Sequence, residues 1–226
     1  MLCLYCSASC KKKGRYKKVQ LYQCCICKKY QRSNYSYKKV NEEDLQKIVE
    51  FNNEGLGIRS ISRILKLSPS TVQRKIILIA KSLNKPVLSE KNQTYEVDEM
   101  CTYINKNLPS NYIYISYAIN KKTKQVLDFV IGTRSKLNFQ PLINNILALS
   151  PRVIYTDRLK IYSSLIPDYC HRSYRYCTNR IERFNLTLRM HLKRLNRKTL
   201  SYNKSILMLG SCLKIYFWGN NPAPNR

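Results

Sequence analysis

From residue 95 onward the apolar residues change period in one order, and that order leaves few ways to fold. Residues 95–104 (YEVDEMCTYI) are rich in β-formers, 112–119 alternate, 120–123 (NKKT) make a turn, and 125–131 read as a third strand. Leu137, Leu142, Ile143, Ile146, Leu147 and Leu149 then recur at helical spacing. Residues 153–157 form a short buried strand, 161–165 a short helix and 174–177 a fifth strand. A helix over 179–197 follows, with Ile181, Phe184, Leu188, Leu192 and Leu195 on one face. The pattern β-β-β-α-β-(α)-β-α predicts an α/β domain, a mixed sheet covered by helices. A further amphipathic helix is expected over 201–218.

The distribution of acids then points to chemistry. Between residues 178 and 226 there are ten Lys or Arg and a single acid, Glu182. Solvated helix faces normally mix charge signs, so a lone carboxylate beside Arg180, Arg183 and Arg189 is either paired or held for a task. An intrahelical pair with Arg183 or Arg189 would contribute only ~0.3–0.5 kcal/mol. Asp157 closes the buried fourth strand, and Asp98 lies in the first, between Glu96 and Glu99. Two carboxylates on neighbouring strands and a third from a helix packed on the sheet can converge on two Mg²⁺ ions, for which Mn²⁺ can substitute. Such a pair clamps the attacking and leaving oxygens of a phosphodiester displacement. The element order and the three acids are those of a ribonuclease H-like catalytic domain, assigned here to 95–218.

The chain carries 41 Lys and Arg against 13 Asp and Glu, a formal net charge of +28. That excess predicts an anionic partner, with double-stranded DNA first. The flanks, 1–94 and 178–226, are more basic than the middle segment that holds Asp98 and Asp157. No signal peptide or membrane-spanning run is evident, so a cytoplasmic, nucleoid-associated protein with no membrane contact is expected.

Residues 1–35 contain Cys3-x2-Cys6 and Cys24-x2-Cys27. Each pair can offer two thiolates from a tight knuckle, and together they predict one structural Zn²⁺ in a ribbon. Cys10 and Cys25 are neighbours able to replace a ligand. Residues 40–84 predict a helix-turn-helix: Asn41 caps a first helix, 58–65 form a second, and Ser68-Pro69 start a third. The third helix would present Ser70, Thr71, Gln73, Arg74 and Lys75 to a major groove. Residues 85–94 read as a linker and 219–226 as a loose tail.

These residues resemble transposases of the insertion sequence 1 family, members of the DDE superfamily. The resemblance rests on the knuckles ending YQCCICKKYQ, the helix-turn-helix, EVDE at 96–99, YTD at 155–157 and TNRIERFNLTLRMHLKRLNRKTLSYNKS from residue 178. It implies Asp98, Asp157 and Glu182 as a catalytic, Mg²⁺-binding triad. It also implies terminal inverted repeats and target DNA as substrates, and a homo-oligomer, at least a dimer on DNA. His171 matches a histidine of the family and is an auxiliary candidate, with packing the stronger expectation. Arg183, Arg189 and Lys193 would lie along phosphates. Two other classes stand beside this reading. One is a non-catalytic DNA-binding regulator or inactive relic. The other is a tyrosine recombinase, which would form a covalent phosphotyrosine and work without metal.

Overall fold

The computed structural model describes residues 1–34, 40–86, 90–106, 108–174, 176–196, 199 and 201–219. The chain divides into two compact units, Met1–Val40 and Asn41–Arg226.

In the first unit β1 (Cys10–Tyr16), β2 (Val19–Cys24) and β3 (Tyr30–Arg32) form an antiparallel sheet in that order. Among its described residues only Cys3, Cys24 and Gln31 are buried. The Gln31 side chain accepts from Leu4 N and donates to Leu2 O, both at 2.8 Å, tying the first knuckle to β3. With no apolar core, a segment this small needs another source of stability, and its cysteines are placed to provide it.

The second unit opens with α1 (Glu42–Asn53), α2 (Ile58–Leu65) and α3 (Pro69–Ser82). Their starts follow the predicted capping chemistry. Asn41 Oδ1 accepts from Asp44 N at 2.8 Å, and Ser68 Oγ accepts from Thr71 N at 3.1 Å ahead of Pro69. Ile48, Ile61, Leu65, Val72, Ile76 and Ala80 are buried.

A five-stranded sheet follows, built from β4 (Thr94–Tyr103), β5 (Tyr112–Asn120), β6 (Val126–Gly132), β7 (Val153–Tyr155) and β8 (His171–Arg172), in the order β6-β5-β4-β7-β8. β6, β5 and β4 are antiparallel neighbours, whereas β7 and β8 join parallel to β4. The expected mixed α/β architecture is therefore present. Helices α4 (Lys136–Leu147) and α5 (Lys160–Ser163) cover one face, where Phe139, Leu142 and Tyr162 meet Tyr95, Val97 and Ile154. Helices α6 (Asn179–His191) and α7 (Ile206–Trp218) cover the other, where Ile181, Phe184, Leu209 and Leu213 meet Met100, Ile115 and Tyr117.

Three details depart from the sequence expectation. The fifth strand lies at His171–Arg172 rather than 174–177. The Cys170 carbonyl accepts from Ile154 N at 2.7 Å, so pairing begins early, and Tyr176 at φ 66° turns the chain where an extended strand was expected. Within the predicted span, residue 175 lies outside the described residues. Helix α6 stops at His191 because Leu192 adopts φ −101°, ψ 85°. A 3-10 turn, Lys193–Leu195, then keeps Leu195 buried. The predicted end at 197, part of the linker (87–89) and the tail from 220 also fall outside the described residues. Finally, α7 is apolar all round rather than amphipathic. It packs against the sheet on one side and contacts α1 and α3 on the other, where Asn52 Nδ2 donates to Cys212 O at 3.1 Å.

Candidate active site and metal centres

Strand β4 is central, and alternation along it sorts its acids. Glu96 and Asp98 face α6, while Glu99 reaches toward α5. The parallel register places Glu96 beside Tyr155, the last residue of β7. Asp157 therefore emerges just past the carboxyl end of β7, next to Asp98 and Glu99. In open α/β sheets this end of the strands is the usual place for a site.

The carboxylate oxygens that come together are those of Asp98, Glu99 and Asp157, all within 4.8 Å of one another. The predicted pair Asp98 and Asp157 is thus adjacent. Glu182 is outside this group, exposed on the first turn of α6, where its Oε1 accepts from the Thr178 hydroxyl at 2.8 Å. Its charge still reaches Asp98. Burial pushes the Asp98 carboxyl up to about 7, and the neighbouring charges of Glu99, Asp157 and Glu182 add to the rise against the Glu99 amide that opposes it.

Each acid has a protein partner. Asp98 Oδ1 accepts from Glu99 N at 2.8 Å and Oδ2 from Asn185 Nδ2 at 2.7 Å. Asn185 is itself oriented by Tyr117, whose hydroxyl donates to Asn185 Oδ1 at 2.7 Å. Glu99 is paired with Arg134 and accepts from the Tyr162 hydroxyl at 2.7 Å. Asp157 Oδ1 accepts from Leu159 N at 3.0 Å. Glu96 is fully buried and accepts from Ile181 N at 2.9 Å. It thereby caps α6 in place of Thr178, whose side chain makes no cap hydrogen bond. Its other oxygen lies 3.1 Å from Lys121 Nζ, a contact of charges without hydrogen-bond geometry.

Asn185, Tyr117 and Glu96 are functional candidates that sequence reasoning missed. The signals were present: Asn185 falls one helical turn after Glu182, and Glu96 two positions before Asp98 on the same strand face. His171 sits on β8. The buried Thr156 donates to the Asp157 carbonyl at 2.8 Å and so accepts from His171 Nε2 at 2.8 Å, and burial depresses the imidazole pKa. The ring thus braces the peptide of Asp157.

The predicted DNA contacts are dispersed. Ser70, Gln73 and Arg74 are exposed on α3, while Thr71 and Lys75 are half-buried and the Thr71 hydroxyl lies 2.8 Å from Ser68 Oγ in the cap. Arg183 and Lys193 are exposed. Arg189 is half-buried and directs Nε to Met100 Sδ at 3.2 Å.

In the first unit the Sγ atoms of Cys3, Cys6, Cys24 and Cys27 all lie within 4.8 Å of one another. The two knuckles match: Tyr5 N donates to Cys3 Sγ and Ile26 N to Cys24 Sγ, each at 3.4 Å, while Ser7 and Lys28 turn at φ 58° after each pair. Burial opposes ionisation of Cys24, yet the Cys27 and Ile26 amides and neighbouring thiols outweigh it and bring the thiol down to about 6. A soft, partly ionised four-sulfur set suits Zn²⁺. Cys10 and Cys25 are not in the set.

A family model described as IS1 transposase matches residues 93–217, which span the whole sheet together with α4 to α6 and nearly all of α7. The chain is also 33% identical over 111 residues to insertion element IS1 protein InsB of Shigella flexneri, covering 49% of this chain and 83% of that protein. It is 32% identical over 111 residues to insertion element IS1 4 protein InsB of Escherichia coli (strain K12), covering 49% of this chain and 65% of that protein. The extent of the family match and the cover of the Shigella protein place the assignment beyond local similarity: the chain belongs to the IS1 transposase family.

Proposed function

We propose that this chain is the DNA transposase of its own insertion sequence. It binds the terminal inverted repeats and catalyses metal-dependent strand cleavage and strand transfer. The observation that carries the reading is the meeting of Asp98, in the middle of the central strand β4, with Asp157, just past the carboxyl end of its parallel neighbour β7. A ribonuclease H-like organisation of 95–218 is part of this reading.

The donor set fits divalent metal. Hard carboxylate oxygens of Asp98, Glu99 and Asp157 lie within 4.8 Å of each other, and burial with mutual repulsion has already made Asp98 reluctant to ionise, a cost that a cation would offset. Asp98, Asp157 and Glu182 would hold two Mg²⁺, or Mn²⁺. When bound, the ions supply activation of water or a 3′-hydroxyl and neutralisation of charge on the phosphate. The chain's own residues supply position. Asn185 and Tyr117 fix the Asp98 carboxylate, Thr156 and His171 fix the backbone at Asp157, and Glu96 anchors the helix that carries Glu182. Arg134 balances Glu99, which lies against the same site. One Zn²⁺ on Cys3, Cys6, Cys24 and Cys27 would hold the ribbon together. The ribbon and a helix-turn-helix over α1–α3, with Ser70, Gln73 and Arg74 outermost, would hold the element ends. Two ends call for at least a dimer on DNA, and a DNA partner places the protein at the nucleoid. No described helix is long and apolar enough to cross a membrane.

The test is strand joining. A labelled duplex from the DNA flanking the reading frame is incubated with the protein, Mg²⁺ and a plasmid target, with Glu182→Gln and EDTA as controls. Joined product that needs both metal and Glu182 is the expected result. End binding without cleavage, equal in both proteins, would favour a regulator or relic. A covalent protein–DNA adduct formed in EDTA would instead identify a tyrosine recombinase.

A further inference from the structure

Around the amino ends of β4 and β7 lies a cavity of about 550 Å³. Lys121, Lys122, Arg152 and Arg180 line it together with Tyr155, and among the described residues no acid does. Three of the cations are exposed: Lys122, Arg152 and Arg180. Among the described residues, the side chains of Lys122 and Arg152 form no ion pair or hydrogen bond. Arg180 donates to the Lys121 carbonyl, which fixes the guanidinium without neutralising it. Lys121 is different. It lies 3.1 Å from Glu96, donates to Cys177 O at 3.2 Å and covers the Tyr155 ring at 4.1 Å. Its charge is already matched.

The walls are set by the backbone. Arg152 N donates to Gln93 O and Lys121 N to Thr94 O, each at 2.8 Å. Asn120 Oδ1 accepts from Lys122 N at 2.8 Å and from Thr123 N at 3.1 Å, which fixes the turn that carries Lys122. Like charges gathered on a preorganised frame without a counter-ion repel one another, and an oxyanion relieves that repulsion. Lys121 occupies a face of Tyr155, so that face is closed to a stacking base and favours a phosphate over a nucleobase. Thr94 precedes Asp98 by four positions on β4, or about 13 Å at ~3.3 Å per residue. That is roughly four base steps at ~3.4 Å along one strand of a duplex.

We propose that this cavity is a phosphate-binding subsite that grips the DNA backbone a few nucleotides from the reacting phosphate. The proposal rests on the transposase reading above and adds a second anchor that sets the strand's register at the carboxylates. Lys122, Arg152 and Arg180 supply the contacts, and Lys121 forms the wall.

The test compares the full chain with a Lys122→Ala/Arg152→Ala double variant, which leaves the carboxylate site and Lys121 untouched. Binding to the flanking-DNA duplex is measured across a salt series, then repeated with single neutral methylphosphonates stepped away from the joined phosphate. The slope of log affinity against log salt should fall by about 0.9 for each lost phosphate contact. One methylphosphonate position, a few nucleotides from the joined phosphate, should weaken the wild type and leave the variant unaffected. A variant with unchanged slope and the same methylphosphonate profile, from a wild type that binds and joins ends, overturns the subsite and leaves the transposase reading standing. A wild type that neither binds nor joins DNA overturns both.

Discussion

Removing the Asn185 carboxamide tests the site where its geometry is tightest. Asn185 Nδ2 donates to Asp98 Oδ2 at 2.7 Å, and Tyr117 holds the amide in that orientation. A hydrogen bond to a charged acceptor contributes about 1.5–3 kcal/mol, and ~1.4 kcal/mol is a factor of ten. Asn185→Ala should therefore weaken metal-dependent joining about 10- to 100-fold at sub-saturating Mg²⁺, in line with the usual cost of losing a ligand's support. The deficit should depend on pH. Folded Asp98 stands at about 7, pushed up first by burial and then by Glu99, Asp157 and Glu182. Losing a donor to its charged form raises it further, so at neutral pH metal must displace more bound proton. Raising the pH above about 8 should narrow the gap. The same shift fixes the sign for stability. The folded chain binds this proton more tightly than the unfolded chain, so metal-free stability falls as pH rises from about 4 to about 7, and Mg²⁺ offsets the loss. The assay is joining rate against Mg²⁺ at two pH values, with unfolding followed by Trp218, the single tryptophan. Tyr117→Phe should give a smaller loss of the same kind. An Asn185→Ala protein within about twofold of wild type at low Mg²⁺, with unchanged unfolding, would refute the reasoning.

Three other perturbations have defined outcomes. A Cβ on Gly55, at φ 71°, would lie 1.8 Å from the His191 carbonyl oxygen, whereas one on Gly57 meets nothing within 4 Å. Gly55→Ala should cost about 3–5 kcal/mol in urea unfolding and Gly57→Ala within about 1; equal costs would contradict the close approach of Gly55 to the His191 carbonyl. At 3.1 Å the Lys121–Glu96 attraction is about 5 kcal/mol at an effective dielectric of 20, and desolvation with the 30% exposure of Lys121 reduces the net to about 2–3. Lys121→Met should lose that much stability and Glu96→Gln/Lys121→Met distinctly less, and a double-mutant cycle with no coupling would remove the pair from the account. Cys24→Ser should abolish the zinc measured by atomic absorption while Cys10→Ser and Cys25→Ser retain it; loss in either of the latter would redraw the ligand set.

Much of this was legible because the signals were local. Capping at Asn41 and Ser68 depends on residues within one turn, and the run of β-forming residues in β4 and β5 marks strands whichever face is covered. The Cys-x2-Cys spacing likewise holds its geometry within each knuckle. What was not legible depends on partners distant in sequence. α7 reads as amphipathic only if one layer covers it, and here the sheet lies on one side and α1 with α3 on the other. The fifth strand is two residues long and set by what Ile154 N finds, not by β-propensity at 174–177. The separate roles of Glu96 and Glu99 beside Asp98 were hidden, because sequence alone cannot show that one reaches Ile181, 85 positions away, and the other Tyr162, 63 away. The isolation of Glu182 was visible, but its exposed place outside the Asp98–Glu99–Asp157 group was not.

The long-range contacts on α6 bear on how such a site holds its shape. At the amino end, Glu96 from the central strand binds Ile181 N and is fixed in turn by Lys121. At mid-helix, Asn185 holds Asp98 while Phe184 and Leu188 bury against the sheet. At the carboxyl end, His191 Nδ1 meets the Tyr216 hydroxyl of α7 at 2.7 Å, and its carbonyl lies against Gly55 at the end of α1. A helix fixed at three points cannot slide by a turn without breaking a buried polar contact, so the exposed Glu182 is positioned by residues that never touch it. This explains how an exposed acid whose one hydrogen-bond partner among the described residues is Thr178 can stay in register with half-buried Asp98. It also predicts a hierarchy: weakening either end of α6, by Lys121→Met or Gly55→Ala, should raise the Mg²⁺ needed for joining at temperatures where the fold is intact. Variants on the exposed face, such as Met190→Ala, should not.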